Sequence, residues 1–237
     1  TIMAQTLKQF KLDVDSHIEK GEKKEIAIMH VIREYIVASE KVLFEGDGYS
    51  EEWEKEAERR GLPKIKTTPH ALDAMVTEKA KYLFEKNRIY THAELEARHE
   101  IELEKYIKKV QIEGRLMAEL ATSHILPSAI RYQNLLVNNI RGLKEVGLPE
   151  ASYANQRQIL EVISGHINNL SDLVEQMIEA RKKCNNMTDM RKKAIAYCAE
   201  VKEKYFDQIR YHADKLELLV DDKEWYLPKY REILFLR

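Results

Sequence analysis

Residues 91–149 read THAELEARHEIELEKYIKKVQIEGRLMAELATSHILPSAIRYQNLLVNNIRGLKEVGLP, and the way this stretch folds decides the rest of the chain. Thr91-His-Ala-Glu94 has the spacing of a capping box, in which a hydroxyl and a carboxylate satisfy amides that a helix start leaves open. No comparable stop follows until Gly147-Leu-Pro149. In between, Leu95, His99, Leu103, Tyr106, Val110, Met117, Ala121 and His124 recur at steps of three and four, with one missed beat near Gly114. Such a period predicts a helix face turned towards other helices. Pro127 removes a backbone donor and crowds the preceding turn, so the sequence predicts a kink near 123–127, or a break into two helices.

On the C-terminal side, two more long helices are predicted, at about 150–183 and 188–220. They are joined by the polar turn Cys184-Asn-Asn-Met-Thr-Asp189, where Thr188 can cap. Short connections between long helices make antiparallel neighbours, hence an all-α, up-and-down bundle. The tail DDKEWYLPKYREILFLR, 221–237, is apolar enough to pack back on something.

On the N-terminal side, a helix over 2–19 stops at Gly21, and another runs from about Lys24 to Glu40 with Ile28, Val31, Ile32, Tyr35 and Ile36 as its stripe. Lys41-Val-Leu-Phe44 reads as a strand or an extended connector. Ser50 then opens a helix whose acidic start and basic end suit the helix dipole, with Gly61 as its stop. Gly46 and Gly48 belong to the turn before it; a phosphate loop needs GxxxxGK[ST] and a calcium loop needs alternating oxygen ligands, and the stretch has neither. Thr68 and Pro69 start a helix expected over 69–87, with Leu72, Met75, Val76, Leu83 and Phe84 on one side and Asn87 at its end. The segment 62–67 reads as a linker, dividing the chain into expected domains 1–66 and 67–237.

Composition supports the helical reading. Glycines number 8 and prolines 5 among 237 residues, far below the roughly 12 % of an average chain. Lysine and arginine number 39 against 40 aspartates and glutamates, so no net field holds a nucleic acid or an anionic membrane by charge, and neither is an expected partner. Cys184 and Cys198 lack CxxC spacing, which suits reduced thiols. No apolar run approaches ~18 residues and no leader pattern opens the chain, so a soluble, cytoplasmic protein is expected. The opening Thr1-Ile-Met-Ala-Gln-Thr-Leu-Lys-Gln-Phe10 is already in helical phase, as expected of a piece of a longer protein.

Few residues invite chemistry. Glu96-Ala-Arg-His99 is an ExxH on a long helix, the unit from which bundle di-metal sites are built, but such a site needs two copies and one is present. The pair reads as an ordinary helix face. His92 falls in a helix's first turn, and His124 and His166 fall on expected packing faces. Cys198 lies in Ala194-Ile-Ala-Tyr-Cys-Ala-Glu200, the setting of a buried, inert thiol. No GxSxG elbow presents a serine. Arg181-Lys-Lys183 and Arg191-Lys-Lys193 bracket the 184–190 turn as a basic tip, whose second triplet needs an anion or an acidic neighbour. A solvated tip is the expectation, with an intersubunit or effector contact as the alternative.

The order of these motifs resembles a known family. FEGDGYSEEWEKEAERRGLPKIKTTPHALD (44–73), HAELEARHEIELEKYIKKVQIEGRLMAELATSHILPSAIRYQNLLVNNIRGLKEVG (92–147) and ADKLELLVDDKEWYLPKYREILF (213–235) are similar to the C-terminal region of type III glutamine synthetases. Residues 1–10 resemble the helix that follows the last active-site strands in such enzymes. The resemblance implies a parent ligase that joins ammonia to glutamate through a γ-glutamyl phosphate, using ATP and Mg2+ or Mn2+.

In that family the metal glutamates and phosphate-binding arginines stand on barrel strands, and no position here matches them. No catalytic, cofactor-binding or metal-ligating residue is therefore assigned, and no cofactor is expected in this chain by itself. The resemblance further implies that residues 1–66 end the catalytic domain. It makes 67–237 a helical domain that packs against the barrel and neighbouring subunits of a homo-oligomer, a double-ring dodecamer, with a part in regulation as a further implication. The alternatives are a helical scaffold module unrelated to catalysis and, last, a di-metal bundle around Glu96 and His99.

Overall fold

The computed structural model describes residues 1–235, which contain helices and turns and no strand. By compactness they divide into Thr1–Ile101 and Glu102–Arg237, and the extended 62–67 segment lies inside the first unit.

The first unit begins with a hairpin of α1 (Ile2–Glu19) and α2 (Lys24–Ala38). Gly21, at φ +95°, turns the chain between them where a side chain would be strained. Val14, Ala27 and Val31 form the hairpin core, with Phe10, Ile28 and Tyr35 against it. The Tyr35 hydroxyl donates to Asp13 across the hairpin at 2.8 Å. Residues 40–42 form one 3-10 turn, followed by the extended Leu43; of the two readings of 41–44, the connector stands. Arg60, at the end of α3 (Glu51–Arg59), donates to the carbonyls of Lys41 and Leu43 and so ties that connector down. Ser50 caps α3 as expected, its Oγ accepting from the Trp53 amide at 3.2 Å.

The expected helix over 69–87 is broken. α4 (Thr68–Leu72) passes into a 3-10 turn over Asp73–Val76, and α5 (Glu78–Lys86) starts afresh. Thr77 is the cause: it is extended, and its hydroxyl accepts from the Ala80 amide at 3.3 Å, the competition with helical bonding that short polar side chains offer. The cap before Pro69 is Thr67 rather than Thr68, and the Thr67 hydroxyl bonds His70 at 2.6 Å.

α6 (His92–Leu120) starts at the Thr91 capping box, where Glu94 accepts from the Thr91 amide at 2.8 Å. It runs into a π-helical turn over Ala121–Ile125 and then into α7 (Leu126–Glu145). The run is not broken into two helices; the π turn stands where the kink is expected. The Leu126 amide bonds back to the Ala121 carbonyl, five residues earlier. Widening the turn in this way accommodates Pro127, which has no amide to give and would crowd an α turn. The inserted residue also shifts the phase: Ala121 and Ile125 point inward, whereas His124 is exposed, against the expectation that it packs.

α8 (Ala154–Asn185) returns, and a third helical run rises through α9 (Met190–Ala196), a π segment over Tyr197–Phe206 and α10 (Asp207–Leu219). Cross-links fix the directions. Gln111 donates to Asn185 and Gln133 to Ser164, so α6–α7 and α8 are antiparallel. Tyr197 bonds Asn185 and His166 bonds His212, so α8 and the third run are antiparallel too. The result is an up-and-down bundle of three long rods. Leu103, Val110, Ile163, Leu170, Val174, Met177, Val201 and Leu216, all essentially inaccessible, fill its axis, each worth ~1.5–3 kcal/mol of burial.

The cap at 189 differs from expectation: Asp189, not Thr188, holds the helix start, its Oδ1 accepting from the Lys192 amide at 2.8 Å. The tail packs back through its first part only, since Tyr226, Ile233, Leu234 and Phe235 are exposed. Trp225 is buried, and Arg131 donates to the Glu224 carboxylate at 3.2 Å; the last two residues lie outside the described residues.

Candidate functional site

The residues singled out in the sequence do not converge. Glu96 accepts from Lys81 at 3.0 Å, while His99, on the same helix, is buried with Nε2 3.4 Å from Asp73. That distance suits an ion pair, but the alignment is not that of a hydrogen bond. His92 Nε2 lies 3.0 Å from Glu85 at the surface. Each side chain of the ExxH pair thus has its own acidic or basic neighbour on another element, the arrangement of a helix face.

Cys184 and Cys198 are both free and buried. Burial raises the Cys184 thiol above its ordinary value, which does not activate it as a nucleophile. Partial burial, with a hydrogen bond to Cys198, raises the half-buried Tyr106 as well.

At the basic tip the compensating acid is Asp189 itself, and Lys193 Nζ donates to the Asn185 carbonyl at 3.0 Å. Lys182 pairs with Glu179 at 2.6 Å. Lys182 and Lys193 thus have local partners, whereas Arg181 Nε and Nη1 are buried with no hydrogen-bond partner among the described residues.

Two arrangements were not foreseen from sequence. In the first, Gln111 Nε2 donates to Asn185 Oδ1 at 2.6 Å and to Tyr197 Oη at 3.0 Å, so three rods meet at one half-buried polar knot. In the second, His17 and His30 both address Glu22. His17 Nδ1 lies 3.1 Å from Glu22 Oε1, and His30 Nδ1 lies 2.9 Å from Glu22 Oε2. The carboxyl of Glu22 is held below its ordinary value, first by the His17 hydrogen bond. The turn at Gly21 makes this possible by swinging Glu22 back over the end of α1, where its amide bonds the His17 carbonyl at 3.2 Å. No spacing rule joins positions 17, 22 and 30, and the signal exists only once the hairpin is closed.

The surface of the hairpin is also unusual. α2 is apolar on two faces: Ala27 and Val31 meet α1, while Met29, Ile36 and Val37 are 64 %, 59 % and 63 % exposed. Ile2, Met3 and Leu7 on α1, and Val42 and Leu43 after α2, are exposed as well. Exposed apolar area on this scale marks an interface. None of the helices of the described residues is long and apolar enough to cross a membrane.

A model of the glutamine synthetase C-terminal domain matches residues 27–144. Over 98 % of its length the chain is 44 % identical to a glutamine synthetase of Bacteroides fragilis (strain YCH46), of which it covers 32 %. It is 29 % identical over its full length to a type-3 glutamine synthetase of Dictyostelium discoideum, again covering 32 %. A glutamine synthetase of Butyrivibrio fibrisolvens is 29 % identical over 91 % of the chain, with 30 % of that relative covered. The chain therefore spans about a third of the length of the curated relatives it matches, and it corresponds to their C-terminal part.

Proposed function

Because the chain belongs to the glutamine synthetase family and corresponds to the C-terminal part of its type III members, we propose that it serves a parent ligase as architecture rather than as chemistry. In this reading the parent joins ammonia to glutamate at the expense of ATP, with Mg2+ or Mn2+, in the cytoplasm. The catalytic groups stand in sequence that this chain does not contain. Residues 1–66 end the catalytic domain, and 67–237 form the helical domain that packs between subunits of a dodecamer.

The observation that carries this reading is the apolar outer face of the α1–α2 hairpin. Its occupant is the catalytic part of the parent: relatives three times as long align here only through their last third, and a doubly apolar helix needs cover. The bundle beyond it supplies rigid rods and few convergent polar groups, which suits spacing and packing.

Two measurements test this. The chain by itself, given ATP, glutamate, ammonia and Mg2+, is expected to form no glutamine, and turnover would refute it. In the full-length parent, Met29→Glu with Val37→Glu is expected to shift native mass spectra from the assembled ring towards smaller species. An unaltered ring with unaltered turnover would remove the hairpin from the interface.

A further inference from the structure

We infer that His17, Glu22 and His30 form a binding site for a divalent transition-metal ion, Zn2+ being the best match. Among the described residues, one nitrogen or oxygen from each of the three lies within 4.8 Å of the others. The two imidazole rings stand with centroids 5.9 Å apart, at 61°, and the Glu22 carboxylate lies between them. Bond lengths of about 2.0–2.2 Å to nitrogen and oxygen separate adjacent tetrahedral ligands by roughly 3.3–3.5 Å. The two histidine–Glu22 separations of 3.1 and 2.9 Å need to open by a few tenths of an ångström, while the two imidazole nitrogens, within 4.8 Å of each other, must reach the same spacing by ring rotation.

The donor set is chemically consistent. Two imidazoles and one carboxylate are borderline ligands that favour Zn2+ and its late first-row neighbours over Mg2+ or Ca2+. Coordination through Nδ1 requires each neutral ring to carry its proton on Nε2. For His17 a carboxylate stands nearby, Glu34 Oε1 lying 3.8 Å from its Nε2, outside hydrogen-bond distance; an approach of about 1 Å would form the carboxylate–histidine–metal relay that sets tautomer and ring orientation. Asp13, which acts electrostatically on His17 from one turn earlier in α1, adds negative potential to the same spot. His17 is 20 % exposed, Glu22 30 % and His30 51 %, so the ion has a path in and a coordination position left for water.

Across the hairpin, the metal joins the last turn of α1, the connecting turn and the second turn of α2. It thereby braces the two helices whose outer face is apolar.

The test uses the intact chain, freed of metal by chelator, titrated with Zn2+ in a calorimeter and in competition with a chromophoric chelator. One saturable equivalent is expected. Glu22→Gln and His30→Gln should each weaken binding about 10- to 100-fold, while Glu25→Gln, on the same hairpin outside the cluster, should not. Nitrogen-15 spectra of the unmodified protein guard against a variant that merely misfolds, since Zn2+ should shift the ring signals of His17 and His30 alone among the eight histidines. Absence of saturable binding, shifts at other histidines, or full affinity in His30→Gln would each overturn the site.

Discussion

Tyr197 Oη donates to Asn185 Oδ1 at 2.6 Å, and Gln111 Nε2 reaches both, which binds the three rods of the bundle at one half-buried point. Tyr197 is wholly inaccessible, and burial raises its phenol above the ordinary value. Replacing it by phenylalanine leaves the ring packing intact and takes one hydrogen bond each from Asn185 Oδ1 and Gln111 Nε2, which keep only the bond to each other. Tyr197→Phe should therefore lower stability by about 1–3 kcal/mol, measured as the shift of the urea midpoint. No shift would mean that the knot rearranges without cost.

Two glycines should respond with opposite signs. At Gly114 an added methyl meets Phe206 at 3.6 Å and Arg181 at 3.9 Å, ordinary contacts within a helix interior. Gly114→Ala should stabilise by about 0.5–1 kcal/mol. Gly21 has open space but sits at φ +95°, so Gly21→Ala should destabilise by about 1–2 kcal/mol. Thermal melts of both variants check the pair.

The cap of the third rod discriminates between neighbours. Asp189→Ala removes the acceptor for the Lys192 amide and should cost about 0.5–2 kcal/mol. Thr188→Ala should stay within about 0.5 kcal/mol of the parent. Equal effects in chemical denaturation would contradict the assignment of Asp189.

His166 and His212 share a short Nδ1 to Nδ1 contact of 2.8 Å, which requires one nitrogen to donate and the other to accept. Burial lowers both from 6.5, with Lys215 adding to the effect at His166 and His166 adding to it at His212. Below about pH 6.5 the unfolded chain thus binds more protons than the folded one. Stability from this pair should be complete above that pH and decline as the pH falls through and below it. Denaturant midpoints at pH 8, 7, 6 and 5 should show the slope, and a His166→Gln, His212→Gln double variant should flatten it.

Much of this architecture was written in local chemistry. Thr91 and Glu94 announce a helix start, Gly21 and Gly61 announce stops, and the steps from Leu95 to Val110 announce an inward face. Each signal acts within one or two turns of backbone, so the order and number of the rods followed from them. Thr77 was misread because a threonine within a helical period can either continue the helix or cap a new one, and only neighbouring packing decides which. His124 was misplaced because a π turn adds a residue that the α period does not contain.

Sequence by itself determined the class of fold, the short polar turns and the absence of paired ExxH or phosphate-loop motifs, since all of these depend on spacing along the chain. Tertiary structure alone decided which side chains share a point in space. His17, Glu22 and His30 meet because a hairpin closes over Gly21, and Gln111, Asn185 and Tyr197 meet because three rods pack in one register. Such meetings depend on how helices pack against one another, a long-range outcome that spacing along a single strand of residues does not encode.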